Sequence, residues 1–142
     1  RNMMRAPCLM EMSLRFPYEL SSWNQWHPTF WLIQSQPGNG WDGLELDCEG
    51  FSPALQFNRN TWNNGVGQYG PTLGNTAPVS ETEFRNYAFE ILQVDGVWRV
   101  RLWENGNLVA EGSPNYGGNT FDPSRPFHLM MTNHILQSGI TQ

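Results

Sequence analysis

The clearest alternation of polar and apolar positions in the chain lies in residues 41–50. Acidic and apolar side chains alternate there, with acids at Glu45, Asp47 and Glu49 and apolar residues at Leu44, Leu46 and Cys48. Because successive side chains of a β-strand point to opposite faces, this pattern predicts three carboxyl groups on one face and apolar side chains against the core. A solvated strand also alternates, but three neighbouring like charges repel one another. An ordinary exposed face and a functional acidic face both remain open.

The same period of two recurs along the chain and predicts seven or eight short strands. The predicted strands are residues 6–17, 28–34, 43–49, 55–60, 83–94, 97–103, 108–111 and 126–135. Asp95-Gly96 and Asn105-Gly106 predict hairpin turns, whereas residues 18–27, 62–78 and 113–126 have the composition of loops. No segment shows a convincing helical period. The sequence therefore predicts an all-β fold, an antiparallel β-sandwich or jelly roll, in a single domain over residues 1–142.

The composition is that of an aromatic-rich β protein. Aromatic residues make up 13% of the 142 residues and charged residues only 15%, which favours a sandwich with an aromatic-lined surface over a helical bundle. The net charge is −5 without a run of basic residues, so nucleic acid is not an expected partner. No apolar run approaches the roughly 20 residues of a membrane-spanning helix, so no membrane partner is expected.

The cysteines and histidines do not indicate a metal site. Cys8 and Cys48 both have the parity of core residues, and free thiols are favoured over a disulfide. His27, His128 and His134 lie far apart, without the local spacing of metal ligands. No metal and no cofactor is therefore expected.

The acidic strand and its surroundings resemble one enzyme family. Glu45-Leu-Asp-Cys-Glu49 is similar to the E-x-D-x-E strand of glycoside hydrolase family 16, in the form found in bacterial β-1,3-1,4-glucanases (lichenases). Further segments match in the family's order, at residues 9–17, 27–33, 56–58, 64–67, 86–90, 101–106 and 129–133. The resemblance covers about residues 9–133. It implies a concanavalin A-like jelly roll in a secreted, extracellular, monomeric glycosidase that acts on a polysaccharide.

The chain departs from the family in length and at a few positions. Members usually run past 200 residues, so the chain is interpreted as an excerpt or a minimal version. Structural calcium held by further segments is left open. Ser13 stands where many members carry Arg, Asn60 where lichenases have Tyr, and Thr132 and His134 where they have Asn and Trp. These differences concern the substrate more than the chemistry.

The resemblance implies a retaining endo-β-glucanase with a double-displacement mechanism, on a β-1,3 or mixed β-1,3-1,4 glucan. Glu45 is then the nucleophile and Glu49 the acid/base, while Asp47 between them orients Glu45 and helps to hold a proton on Glu49. The two catalytic carboxyl groups of such an enzyme lie about 5–5.5 Å apart. Residues i and i+4 of a strand have Cα atoms about 13 Å apart, so a concave bend and leaning side chains are expected.

Substrate contacts are expected from aromatic and polar side chains. Aromatic rings offer flat contact area to sugar rings, and the candidates for the cleft are Trp26, Trp31, Trp41 and Trp103. Core packing is the alternative for each, most of all for Trp31. The polar candidates for sugar hydroxyl groups are Glu11, Asn58, Asn60 and His134, with ordinary surface or structural roles as their alternative.

Two other functions fit the same fold, since fold does not determine function. One is a non-catalytic carbohydrate-binding module, and the other is a structural or attachment module. A binding module has no need of two glutamates and an aspartate on one short face, which favours the hydrolase. The exact glycan, and hydrolase against transglycosylase, stay open.

Overall fold

The computed structural model describes residues 4–15, 26–35, 41–51, 54–80 and 82–135. Nine strands lie within these residues: β1 (Cys8–Leu14), β2 (Trp26–Ser35), β3 (Trp41–Phe51), β4 (Ala54–Asn63), β5 (Val66–Asn75), β6 (Arg85–Val94), β7 (Val97–Glu104), β8 (Asn107–Gly112) and β9 (Phe127–Ile135). Nothing in the described part of the chain forms a helix long and apolar enough to cross a membrane.

The strands form two antiparallel sheets. One has five strands in the order β5-β4-β3-β2-β9, and the other has four in the order β1-β6-β7-β8. The acidic strand β3 therefore lies in the centre of the larger sheet, between β2 and β4. The predicted all-β jelly-roll sandwich is confirmed, with β3 held by hydrogen bonds along both of its edges.

The core lies between the sheets and fixes the orientation of β3. Leu44, Leu46 and Cys48 belong to the core cluster, and the latter two have no exposed surface. They share the core with residues of the smaller sheet such as Phe89 and Leu102, also 0% exposed. Each large side chain buried in this way stabilises the fold by about 1.5–3 kcal/mol. A slip of one residue would expose them all, so the core determines that the carboxyl groups face away from it, as predicted.

The structure corrects one predicted loop. Residues 62–78 are not mostly loop, because Val66–Asn75 forms β5 and pairs with β4 through the turn Asn64-Gly65. Both turn residues have positive φ, +50° and +81°, as a two-residue hairpin turn of this twist requires. The signal is the same Asn-Gly type that correctly predicted the turn at Asn105-Gly106, but the surrounding glycines and prolines concealed it.

Both cysteines are free thiols, as favoured from the sequence. Cys48 is fully buried and Cys8 is partly buried against the core. Burial raises the pKa of both thiols, for Cys48 well above the usual value.

Candidate active site

The three acids of β3 line one groove. It lies on the face of the larger sheet that points away from the core and has a volume of about 240 Å³. The other lining residues come from β2, β4 and β5, and they are Thr29, Trp31, Asn60, Trp62 and Tyr69. Strand register explains the arrangement, because Asp47 lies between Trp31 and Asn58, and Glu45 lies opposite Asn60.

Glu45 is held by donors on both of its carboxyl oxygens. Asn60 Nδ2 donates to Oε1 at 2.8 Å, and Trp62 Nε1 donates to Oε2 at 2.9 Å. Glu45 is only 3% exposed. An indole and an amide NH₂ group can only donate at these atoms, which suits a carboxylate with acceptors alone. The side chain is therefore fixed in one orientation beside the groove.

Asp47 is the acid of the groove whose pKa is clearly raised. It is 2% exposed, and only its Oδ2 atom has a hydrogen-bond donor among the described residues, Asn60 Nδ2 at 2.8 Å. Burial first, and then the charges of Glu49 and Glu45, raise the pKa of Asp47 to about 8, while Asn58 opposes the shift. A buried carboxyl group with acidic neighbours ionises reluctantly, so this environment favours the protonated form of Asp47.

Glu49 stands at the other end of the acidic set. It is partly buried, lines the groove, and pairs across the sheet with Thr29 on one side and Gln56 on the other. Two carboxyl groups in different surroundings on one groove are the arrangement from which glycosidases build a nucleophile and an acid.

The structure places the sequence candidates unequally around this groove. Trp31 is partly exposed and lines it. Asn58 lies opposite Asp47, and its Oδ1 atom accepts a hydrogen bond from the Thr72 hydroxyl at 2.9 Å. Asn60 lines the groove, but it donates to the acids. The side chains of the remaining three candidates of this sheet lie outside what the structure describes, namely those of Trp26, Trp41 and His134.

The expectation that Glu11 and Trp103 line the acidic cleft is wrong. Their chain neighbours Met10 and Leu102 fill the core, 7% and 0% exposed, so Glu11 and Trp103 point out of the opposite face of the smaller sheet. There they line a separate groove of about 260 Å³, and Trp103 Nε1 donates to a glutamate, Glu90, at 2.9 Å. Alternation excludes these residues from the core but does not say which of the two outer faces carries them.

Trp62 and Tyr69 are residues of the groove that the sequence interpretation missed. Trp62 bonds to Glu45, and its ring meets that of Tyr69 edge to face, with the centroids 6.2 Å apart. Positions 58, 60 and 62 share one parity on β4, so extending the predicted strand by two residues would have placed Trp62 beside the acids. Tyr69 required recognition of the hairpin that leads to β5.

Solved structures similar to this chain include three glycosidases. The endo-1,3-beta-glucanase from Streptomyces sioyaensis has a TM-score of 0.61 at 16% identity, over 95% of this chain and 56% of that one. The Bacillus licheniformis beta-glucanase has a TM-score of 0.57 at 16% identity, over 94% and 55% of the two chains. A native glycosidic hydrolase has a TM-score of 0.57 at 20% identity, over 89% and 51%. The chain thus spans about half the length of these structures.

At 16–20% sequence identity, the similarity to these three structures is evidence for the fold alone. No protein-family model and no curated protein matches the sequence. The chain nevertheless matches in fold structures named as β-glucanases or a glycosidic hydrolase. The resemblance predicted from the acidic strand and its flanking segments is confirmed at the level of the fold.

Proposed function

We propose that this protein is a retaining, endo-acting hydrolase of a β-linked glucan, with β-1,3 or mixed β-1,3-1,4 linkages. The observation that carries the proposal is the convergence of Glu45, Asp47 and Glu49 in one groove walled by aromatic side chains. The similarity in fold to structures named as glucanases supports it. Glu45 and Asp47 are buried, and an outer sheet face without function would not need to bury two of its three acids.

The reaction proceeds by double displacement. Glu45 attacks the anomeric carbon and forms a glycosyl ester, while the bond to the leaving sugar breaks and Glu49 gives its proton to the departing oxygen. Glu49 then removes a proton from water, which attacks the same carbon and releases Glu45 as a carboxylate. Asp47 stays protonated beside Glu45 and keeps a third negative charge out of the groove.

The walls of the groove suit a polysaccharide. Trp31, Trp62 and Tyr69 present ring surfaces, and Tyr69 is 72% exposed. Sugar rings have apolar faces that pack on such rings.

The test combines product release with chemical rescue. Wild-type protein should release reducing ends from β-1,3 or mixed-linkage glucan. With an activated aryl glycoside and azide, Glu49→Ala should give the β-glycosyl azide, because glycosylation of Glu45 still occurs. Glu45→Ala should give the inverted α-azide, because azide then attacks from the nucleophile's side. Glu83→Ala, which replaces an exposed glutamate outside the strands, should match wild type.

Two outcomes would contradict the assignment. If both variants gave azides of the same anomeric form, the two glutamates would not have different roles. If the wild type bound β-glucan without releasing reducing ends, the carbohydrate-binding interpretation would replace the hydrolase.

A further inference from the structure

Asn60 occupies the centre of the acidic groove with both ends of its amide engaged. The nitrogen donates to Glu45 Oε1 and Asp47 Oδ2, both at 2.8 Å, and the oxygen accepts from the backbone N–H of Gly70 at 3.1 Å. A backbone N–H can only donate, so it fixes which end of the amide is oxygen. Asn60 is 4% exposed, and both amide hydrogens are directed at the acids rather than at the open groove.

The backbone of β5 is shaped to hold this amide. The β4–β5 register shifts between Asn58 and Asn60, which is the local bend expected of a β-bulge. Beside it, Gly70 approaches β4 so closely that a Cβ atom there would collide with the carbonyl oxygen of Arg59. Only glycine lets its N–H reach the Asn60 oxygen without displacing a strand.

We propose that Asn60 is a positioning residue of the reaction, which holds the Glu45 and Asp47 carboxyl groups as one hydrogen-bonded unit and sets the pH range in which Glu45 attacks. This inference rests on the proposed function. Donors to a carboxyl group favour its ionised form, so the Asn60 amide opposes the effect that burial has on both acids without removing it. It replaces the expectation that Asn60 binds a sugar hydroxyl.

Among the described residues, few charged groups surround the hydrogen-bonded unit of Asn60, Glu45 and Asp47. The titratable groups that face it are Glu45, Asp47 and Glu49 from β3 and Tyr69 from β5. On the same face, β2 offers Thr29 and Trp31, while β4 offers amides and the Trp62 indole. No described cation faces the groove; the donors to its acids include the Asn60 amide and the Trp62 indole, and the Asn58 amide also lowers the pKa of Asp47.

The decisive variant is Asn60→Leu, which keeps the size of the side chain and removes both donors. The acid limb of the pH profile of kcat/KM should move up by about one pH unit, the value of one lost charge-assisted hydrogen bond. Carboxyl ¹³C NMR, with Asp47 assigned from Asp47→Asn, should show the Asp47 midpoint moving up by a similar amount. Asn107→Leu, at an exposed site on the smaller sheet, should leave both unchanged.

The alternatives give different results. A role in binding sugar predicts a higher KM with an unmoved acid limb, and a role in folding alone predicts less active protein with an unmoved Asp47 midpoint. Either result overturns the proposal. If Asn60→Leu does not fold, Asn60→Ala, which removes the same two donors with a smaller side chain, carries the test, with a shift in the same direction. Absent wild-type turnover would end the proposed function, whereas the Asp47 titration would still test the hydrogen-bonded unit.

Discussion

Replacing Asp47 by asparagine should stabilise the fold by an amount that grows with pH. The folded protein raises the pKa of this carboxyl group to about 8, against 3.8 as its ordinary value. Between these values the folded state binds a proton that the unfolded chain has lost, so wild-type stability falls as pH rises. Below pH 3.8 both states are protonated and the penalty vanishes; above pH 8 it is constant. Asparagine does not titrate and avoids the penalty throughout.

The magnitude follows from the proton count. One bound proton changes the free energy of unfolding by 1.36 kcal/mol per pH unit, so the gap between variant and wild type can grow by at most about 3 kcal/mol from pH 5 to pH 7. The charges of Glu49 and Glu45 contribute to the raised pKa of Asp47, so its proton is coupled to its two neighbours. We therefore expect a gain of about 1–3 kcal/mol over this range, accompanied by lower activity, as is common where a strained site serves function.

Urea unfolding at pH 5, 6, 7 and 8 measures this gap directly. Asp122→Asn is the control of opposite sign, because the Ser124 hydroxyl and backbone N–H, and more weakly Arg125, lower the pKa of Asp122. A lowered pKa contributes stability above the unfolded value and loses it only as pH falls, so this control should show no gap that widens from pH 5 to 8. A constant gap for Asp47→Asn, or a variant less stable than wild type at pH 8, would refute the reasoning.

Two further predictions concern the core and the groove. Cys48, 0% exposed, should resist a bulky thiol reagent in the native protein and react after unfolding. The partly exposed Cys8 should react sooner. Rapid labelling of Cys48 in the native protein would mean that the assignment of core and outer faces in β3 is wrong. Trp62→Phe keeps a ring but removes the donor to Glu45, so kcat/KM should fall about tenfold or more, whereas Trp98→Phe on the other sheet should not lower it.

Local alternation was sufficient to predict the acidic strand but not the partners of other strands. In β3 the three acids share one face, so the pattern alone says which side meets the core. In β1 and β7 the alternation is as clear, and it correctly directs Met10 and Leu102 into the core. Whether Glu11 and Trp103 then join the acidic face depends on which sheet each strand enters. That is decided by pairing between distant segments, which no local period records.

The strand β5 was missed because its glycines have the composition of a loop. In the structure these glycines are places of close approach rather than breaks in the strand. A Cβ atom at Gly67 would lie 3.0 Å from the Trp62 ring, and one at Gly70 would strike the backbone of β4. Glycine weakens a strand by itself, so its use here is explained by what packs over it, and that information lies in β4.

The roles of the two glutamates illustrate the same limit more sharply. The pattern Glu45-x-Asp47-x-Glu49 is symmetric, and nothing within β3 distinguishes its ends. β4 gives Glu45 a defined position, because Asn60 and Trp62 both direct their donors to it. A carboxylate held by two donors is prepared to attack, whereas an acid must keep its proton until the bond breaks. The position of the proposed nucleophile Glu45 is thus fixed from β4, in part by Asn60, where the sequence departs from the lichenases.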